Sequence, residues 1–313
     1  MRQLSIFLVG LFCFTSLYAG DIDFSGDLRL RHEVIDDSTS TNQATRQRVR
    51  ARLNAEAKVS ETTTVGLGVA TGSTTDRRST NQTLSGSFTS KSINLDTAYI
   101  STQVLGADVT VGKFKNTLTT QSELFWDNDV RPEGVSASYN ALGLSFTGAY
   151  LVLEDNATDD SGLAVGQVSY GSDLFDLSAS YTASVNTATN DKYLNVNGAL
   201  KGGQVFGLGL ALFGEYNLNT EATNADTAWL AGLRTSFKGV GISYAYRNVE
   251  ANSVNSLLTD SDFGNGVDAK GSEVSLSYQY DAVKVGATYF DLTNGLAGGT
   301  DYDRLQVDLS VSF

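Results

Sequence analysis

Arg46-Gln47-Arg48-Val49-Arg50-Ala51-Arg52-Leu53-Asn54-Ala55-Glu56-Ala57-Lys58-Val59 is the stretch that decides the fold. From Arg48 on, the even positions are charged or polar and the odd positions apolar. A period of 3.6 residues would scatter the four arginines around a cylinder. A period of two places them on one face of a strand. The preceding segment shows the same alternation with its parity inverted. Ile22, Phe24, Leu28, Leu30 and Val34 alternate with Asp23, Ser25, Asp27, Arg29, Arg31 and Glu33.

Working outward, about sixteen such segments appear, at residues 21–34, 45–60, 63–72, 91–103, 107–114, 134–140, 143–153, 162–171, 173–184, 191–200, 203–216, 226–238, 240–249, 272–281, 282–292 and 302–313. No capped run of helical period interrupts them. The links between them alternate in length. Those near Ser60-Glu61, Leu105-Gly106, Ala141-Leu142, Ser172, Gly202, Gly239 and Asp281 are tight, with a long one between each. A soluble sandwich has no reason to sort its loops by side. A barrel crossing a bacterial outer membrane does, with short periplasmic turns and longer extracellular loops.

Composition agrees. Charged residues are 18% of the 313, against roughly 25% in a soluble domain, and aromatics are 10%. That is too aromatic for a disordered chain, and after the first twenty residues no apolar run is long enough for a spanning helix. The start reads as a secretory signal over residues 1–19: Arg2, an apolar core from Leu4 to Leu17, and a cleavage site after Ala19. Cys13 follows the bulky Phe12, unlike a lipid-modified cysteine. Cleavage leaves residues 20–313 without Cys or Met and changes the net charge from -13 to -14. An exported chain without a spanning helix satisfies its backbone in lipid only by closing a sheet. The expected fold is therefore all-β, a transmembrane antiparallel up-and-down β-barrel.

A single Arg on the lipid face at the bilayer midplane costs about 2–4 kcal/mol. Arg46, Arg48, Arg50 and Arg52 are therefore expected to face the lumen. A hairpin closing near residue 40 sets Arg29 and Arg31 opposite two of them, with Asp27 and Glu33 beside the outer members. Asp96, Arg234, Arg247, Glu273, Gln279, Lys284, Arg304 and Asp308 share the inward parity. Such a lumen is at least partly wet and fits an aqueous channel. The loop near 115–133 carries Glu123, Trp126, Asp127, Asp129, Arg131 and Glu133. Folded inward, it would set carboxylates opposite the arginines and narrow the passage. Asp127-Asn128-Asp129 lacks the Gly and distant Glu of an EF-hand loop, so no metal and no cofactor is expected.

Much of the acidic excess is expected in outer loops facing lipopolysaccharide: Asp36, Asp37, Asp76, Glu154, Asp155, Asp159, Asp160, Glu221, Asp226, Asp260, Asp262 and Asp268. His32, the one histidine, falls on the apolar parity, away from any carboxylate that would orient it for catalysis. No enzymatic activity is expected. Trp229 shares the outward parity of Leu233 and Phe237, as a residue of an interfacial aromatic belt would. The final segment alternates Leu305, Val307, Leu309, Val311 and Phe313 with Arg304, Gln306, Asp308, Ser310 and Ser312. It resembles the C-terminal signature by which bacterial barrels are received by their assembly machinery.

Four stretches resemble a family of bacterial outer-membrane porins, the "putative porin" family. They are Gly26-Asp27-Leu28-Arg29-Leu30-Arg31, the strand from Arg48 to Leu53, Ala70-Thr71-Gly72-Ser73 with Ser79-Thr80-Asn81-Gln82-Thr83-Leu84, and Trp126-Asp127-Asn128-Asp129-Val130-Arg131-Pro132-Glu133-Gly134. The resemblance implies passive diffusion of small hydrophilic solutes and, by analogy with general porins, a homotrimer. The alternatives are a substrate-selective channel, with anions drawn by the arginine wall, and a non-conducting structural or adhesive barrel. No nucleic-acid partner is expected.

Overall fold

A computed structural model describes residues 21–40, 43–155, 159–205, 208–264 and 266–313; the expected signal segment 1–19 lies outside them. The strands in chain order are β1 (Ile22–Asp37), β2 (Ala44–Lys58), β3 (Thr63–Thr71), β4 (Gln82–Thr83), β5 (Ile93–Val104), β6 (Ala107–Lys113), β7 (Glu133–Ala141), β8 (Leu144–Glu154), β9 (Ser161–Gly171), β10 (Phe175–Val185), β11 (Lys192–Val205), β12 (Leu208–Asn219), β13 (Thr227–Phe237), β14 (Val240–Val249), β15 (Ala269–Tyr280), β16 (Val283–Asn294) and β17 (Thr300–Ser312). Every pairing is antiparallel, and β1 bonds both β2 and β17, so the sheet closes on itself. Sixteen long strands form the wall. The two-residue β4 fills the place beside β2 above the end of β3, pairing Thr83 with Arg48.

Turn chemistry pins the register. Leu105-Gly106, Leu142-Gly143 and Lys238-Gly239 each place both residues at positive φ, between 47° and 84°. This is the type I′ geometry whose twist matches that of the flanking strands. The sequence boundary that differs most is the turn expected near Gly202. The β11 ladder continues to Val205, and Gly202-Gly203 sit in a bulge between Lys201 and Gln204. Gly203, at φ +65°, absorbs the extra residue there.

The seam is closed by the chain end. Gly26 and Phe313 exchange two backbone hydrogen bonds, of 2.9 and 3.1 Å. A Cβ on Gly26 would lie 2.7 Å from the Phe313 ring and 2.4 Å from the Arg52 carbonyl oxygen. The missing side chain leaves room for the terminal ring, which is exposed on the outer face.

The outward positions form an apolar skin: Leu28, Leu67, Ile100, Leu212, Leu276 and Leu309 are all exposed. Inside, the packing is uneven. One apolar core occupies the loop end of the lumen along β8 to β16, where Leu163, Leu230, Val249, Phe290 and Leu292 point inward and are buried. They break the simple rule of apolar outside and polar inside because two inward-folded loops cover them. Elsewhere the inner wall is polar, with Ser178, Thr182, Asn195, Asn197 and Asn217 buried.

Candidate functional site

The segment 114–132 leaves β6 and returns to β7 through paired glycines. Gly112 and Gly134 stand opposite each other in register, at φ +121° and +144°. A Cβ on either would lie within 2.3 Å of a neighbouring strand's carbonyl oxygen. Only glycine gives both strands this sharp inward turn. The segment then crosses the lumen, closed at its neck by Phe114 N–H donating to the Pro132 carbonyl at 2.9 Å. Leu124, Phe125, Trp126 and Val130 bury themselves in the apolar core. On the far wall Thr119 is anchored by neutral groups. Its N–H donates to Gln167 Oε1 at 2.7 Å, and its carbonyl accepts from Gln167 Nε2, Ser178 Oγ and Asn197 Nδ2.

A second loop, 250–268, also folds inward and docks on the first. Its Val254, Leu258 and Phe263 join the same core. Asp127 N–H donates to the Leu258 carbonyl at 2.6 Å, and Asp260 N–H to the Glu123 carbonyl at 3.1 Å. Thr259 Oγ1 donates to the Leu124 carbonyl at 2.7 Å. A third segment, 72–81, dips in between. Thr80 donates to Asp129 through both its N–H and its hydroxyl, and Asn81 Oδ1 accepts from Arg29 at 2.8 Å. These loops and the arginine wall enclose a polar cavity of about 620 Å³.

Register sets Arg29 opposite Arg50 and Arg31 opposite Arg48, with Asp27 opposite Arg52 and Glu33 opposite Arg46. All six arginines have a carboxylate within 4.0 Å. Asp27 accepts from Arg50 at 2.8 Å and Arg52 at 2.6 Å. Glu33, fully buried, accepts from Arg46 at 2.6 Å, lies 3.8 Å from Arg48 and meets Arg304. Arg31 is held by Asp308 at 2.7 Å and Asp262 at 3.0 Å, and Arg29 lies 4.0 Å from Asp308. The arginines are thus mostly enclosed in ion pairs rather than freely solvated. Burial at this level requires such pairing.

Of the loop residues singled out in the sequence, Asp129 reaches the wall directly, at 3.1 Å from Arg52 and 3.9 Å from Arg50. Asp127 sits behind it, accepting from the N–H groups of Asp129 and Ser261. Glu123 lines the cavity and meets Asn128. Arg131 turns back to Asp96 at 3.1 Å and to the Asn128 carbonyl. Trp126 packs edge-on against Phe125 in the apolar core, with centroids 5.6 Å apart. Glu133 stands apart at the start of β7, paired with Lys113 at 2.7 Å and largely exposed.

Asp260 and Asp262 correct the expectation of outward-facing loop acids. Asp260 is buried against Arg247 at 2.9 Å, and Asp262 bonds Arg31 and Arg304. The apolar residues of loop 250–268 carry both acids inward. Glu123, Asp127 and Asp260 each bring a carboxylate oxygen within 4.8 Å of the others. Among the described residues these acids are close enough to share one cation or one proton, and burial favours the proton. Burial, then the charges of Asp260 and Asp127, push the Glu123 carboxyl well above the usual range. Burial and Asp260 push Asp127 up to about 7, against the N–H groups it accepts. For Asp262 the burial penalty is outweighed by Arg304 and Arg31, which hold it below the usual carboxylate range.

No curated protein matches the sequence. Among the solved structures that share the fold are two variants of the Rhodopseudomonas blastica porin. One, multiply substituted, has a TM-score of 0.64; the other, a triple mutant, has 0.62. Each is 14% identical and covers 94% of this chain and 100% of its own. The sequence profile of the family described as "Putative porin" matches residues 23–205, which span β1 to β11 and hold the arginine wall and the inward loop 114–132. The chain belongs to that porin family, and its sixteen long strands build a channel-forming barrel of the bacterial outer membrane.

Proposed function

We propose that the channel passes small hydrophilic solutes and ions by passive diffusion, with weak preference for either sign of charge. The observation that carries this reading is the ion pairing of the wall, in which five of the six arginines lie within 3.8 Å of a carboxylate and Arg29 lies 4.0 Å from one. The cavity at the narrowing is lined by Arg29, Arg50, Arg52, Arg78, Lys115 and Arg131 against seven acidic residues. A narrowing so balanced has no net field of its own along the axis to select anions. It does have a field across it, from Arg50 and Arg52 toward the loop carboxylates. Such a field orients dipolar solutes and opposes apolar ones, which would displace the water it orders without replacing that water's hydrogen bonds. In this reading Arg29, Arg31, Arg46, Arg48, Arg50 and Arg52 line the pore. Glu123, Asp127, Asp129 and Arg131 form the constriction, with Trp126 and Glu133 fixing the loop's core and its root.

The reading includes a homotrimer. The run β3, β5, β6 and β7 supports it, because β6 has only 7 residues and β3 and β7 have 9 each. Seven residues at barrel tilt rise roughly 17 Å against an apolar band of about 25 Å, a deficit that a neighbouring subunit would cover. Phe313 is assigned to recognition by the assembly machinery, and the exposed loops to contact with lipopolysaccharide. No catalysis or cofactor is invoked. His32 lies on the outer face, bonded to Gln47.

Reversal potentials in a salt gradient test the selectivity. The wild-type channel is expected near zero selectivity, and Arg48→Ala with Arg50→Ala is expected to shift it toward cations. A strong wild-type anion preference, abolished by that double substitution, would instead establish a selective channel. The two inward loops favour one further alternative, a closed structural barrel; absence of conductance in planar bilayers and of liposome swelling would establish it.

A further inference from the structure

On the turn side of the constriction the inner wall carries cations that the ion-pair network leaves unbalanced. Register sets Arg50 of β2 opposite Arg29 of β1, Arg29 opposite Ser310 of β17, and Ser310 opposite Lys284 of β16. These residues are lateral neighbours on the inward face of four adjacent strands. At about 4.8 Å per strand, the Cα atoms of Arg29 and Lys284 stand roughly 10 Å apart. Three of the four positions in the row are cationic and none is acidic.

The neighbouring row shows what compensation looks like. There Arg31 faces Arg48, and Asp308, Asp262 and Glu33 close around the pair. In the lower row Arg50 has Asp27 at 2.8 Å and Asp129 at 3.9 Å, but Arg29 has only the Asn81 amide at 2.8 Å and an Asp308 oxygen at 4.0 Å. Asp308 already accepts from two nitrogens of Arg31, at 2.7 and 2.8 Å. Arg234 joins from β13, bonded to the neutral Gln121 at 2.9 Å and stacked on Phe213 with its guanidinium 5.0 Å from the ring centre. Among the described residues no carboxylate lies within 4.0 Å of Arg234 or Lys284. The four cations line one cavity of about 470 Å³, in which Asp308 is the single acidic residue and serine and threonine hydroxyls supply further donors.

Like charges placed side by side in a sheet repel. A wall that is carefully neutralised one row higher and left cationic here is built to meet an anion. We propose that Arg29, Arg234 and Lys284, with Arg50, form a binding site for small doubly charged oxyanions on the periplasmic side of the constriction. Guanidinium forks suit two oxygens of one anion, and the lysine supplies a mobile point charge. The proposal rests on the open-lumen reading above, since the anion must reach the inner wall.

Planar bilayers with inorganic phosphate test it, comparing wild type, the double variant Arg234→Gln with Lys284→Gln, and Lys238→Gln. The last removes one charge from a periplasmic turn outside the row. Phosphate on the periplasmic side is expected to lower the chloride current saturably, and the half-effect concentration is expected to rise about ten-fold in the double variant and to stay in place in Lys238→Gln. A fall that tracks ionic strength alone, equal in all three, overturns the proposal. Thermal unfolding in detergent gives a readout independent of current. Phosphate should raise the wild-type Tm above that in chloride of matched ionic strength, and the double variant should lose this rise; no rise in wild type overturns the site. A rise without any conductance overturns the channel reading and leaves the site standing.

Discussion

Glu33 is the most exacting single residue of the wall. It is fully buried and collects Arg46, Arg48, Arg304 and the Gln306 amide. Removing one partner from a buried ionic network leaves the others uncompensated, at a cost of about 3–5 kcal/mol. Glu33→Gln is therefore expected to lower the unfolding temperature of the detergent-solubilised barrel by several degrees, measured by circular dichroism; an unchanged Tm would place the arginines in free solvent. Asp127 gives a pH prediction. Its pKa of about 7 in the folded protein lies above the ordinary aspartate value, so the folded state takes up a proton as pH falls through 7. Docking of the loop should strengthen, and the constriction should lose a negative charge. Between pH 8 and pH 6 the reversal potential is expected to move toward anions, and Asp127→Asn should remove that movement. The pairs within one hairpin, Asp27 with Arg52 and Glu33 with Arg46, were legible from parity and a single turn position. Asp262 was not: its partners Arg31 and Arg304 lie 231 and 42 residues away, and no local pattern reports such a meeting.

At the scale of elements, the glycine pair and the second loop carry the weight. Gly112→Ala or Gly134→Ala drives a Cβ into a backbone oxygen at positive φ. Either is expected to loosen the root of loop 114–132. Limited proteolysis in detergent should then cut within that loop while the barrel stays intact, and equal resistance to wild type would contradict the role given to the glycines. Leu258→Asp places a charge in the core where loop 250–268 docks on loop 114–132. It should release the second loop and raise the single-channel conductance. Strands were legible because lipid outside and polar groups inside impose a period of two on nearly every segment. The inward course of loop 250–268 was not, although Val254, Leu258 and Phe263 are its cue. Three apolar residues among acids look like an ordinary exposed loop until the surface that receives them is known. The apolar inward positions of β9, β13, β14 and β16 went unread for the same reason, since their complement lies on loops far away in sequence.

For the whole molecule, one division of labour explains the composition. The outer face is an apolar skin bounded by aromatic residues such as Trp229 and Tyr246, whose rings lie 5.7 Å apart with planes tilted by 33°. The inner face holds most of the charge of the strands, and the loops narrow the extracellular end with an apolar core of their own. Closure by β1 and β17 leaves no edge, which lipid requires. A water-filled lumen requires that the two parities of β2 meet different surroundings. Single cysteines at Arg48, Val49, Arg50, Ala51, Arg52 and Leu53 should be probed in open channels with a charged, membrane-impermeant thiol reagent. Cysteines at 48, 50 and 52 are expected to react and lower the current while those at 49, 51 and 53 stay inert. Reactivity without that alternation, or confined to 49, 51 and 53, would contradict a water-filled lumen.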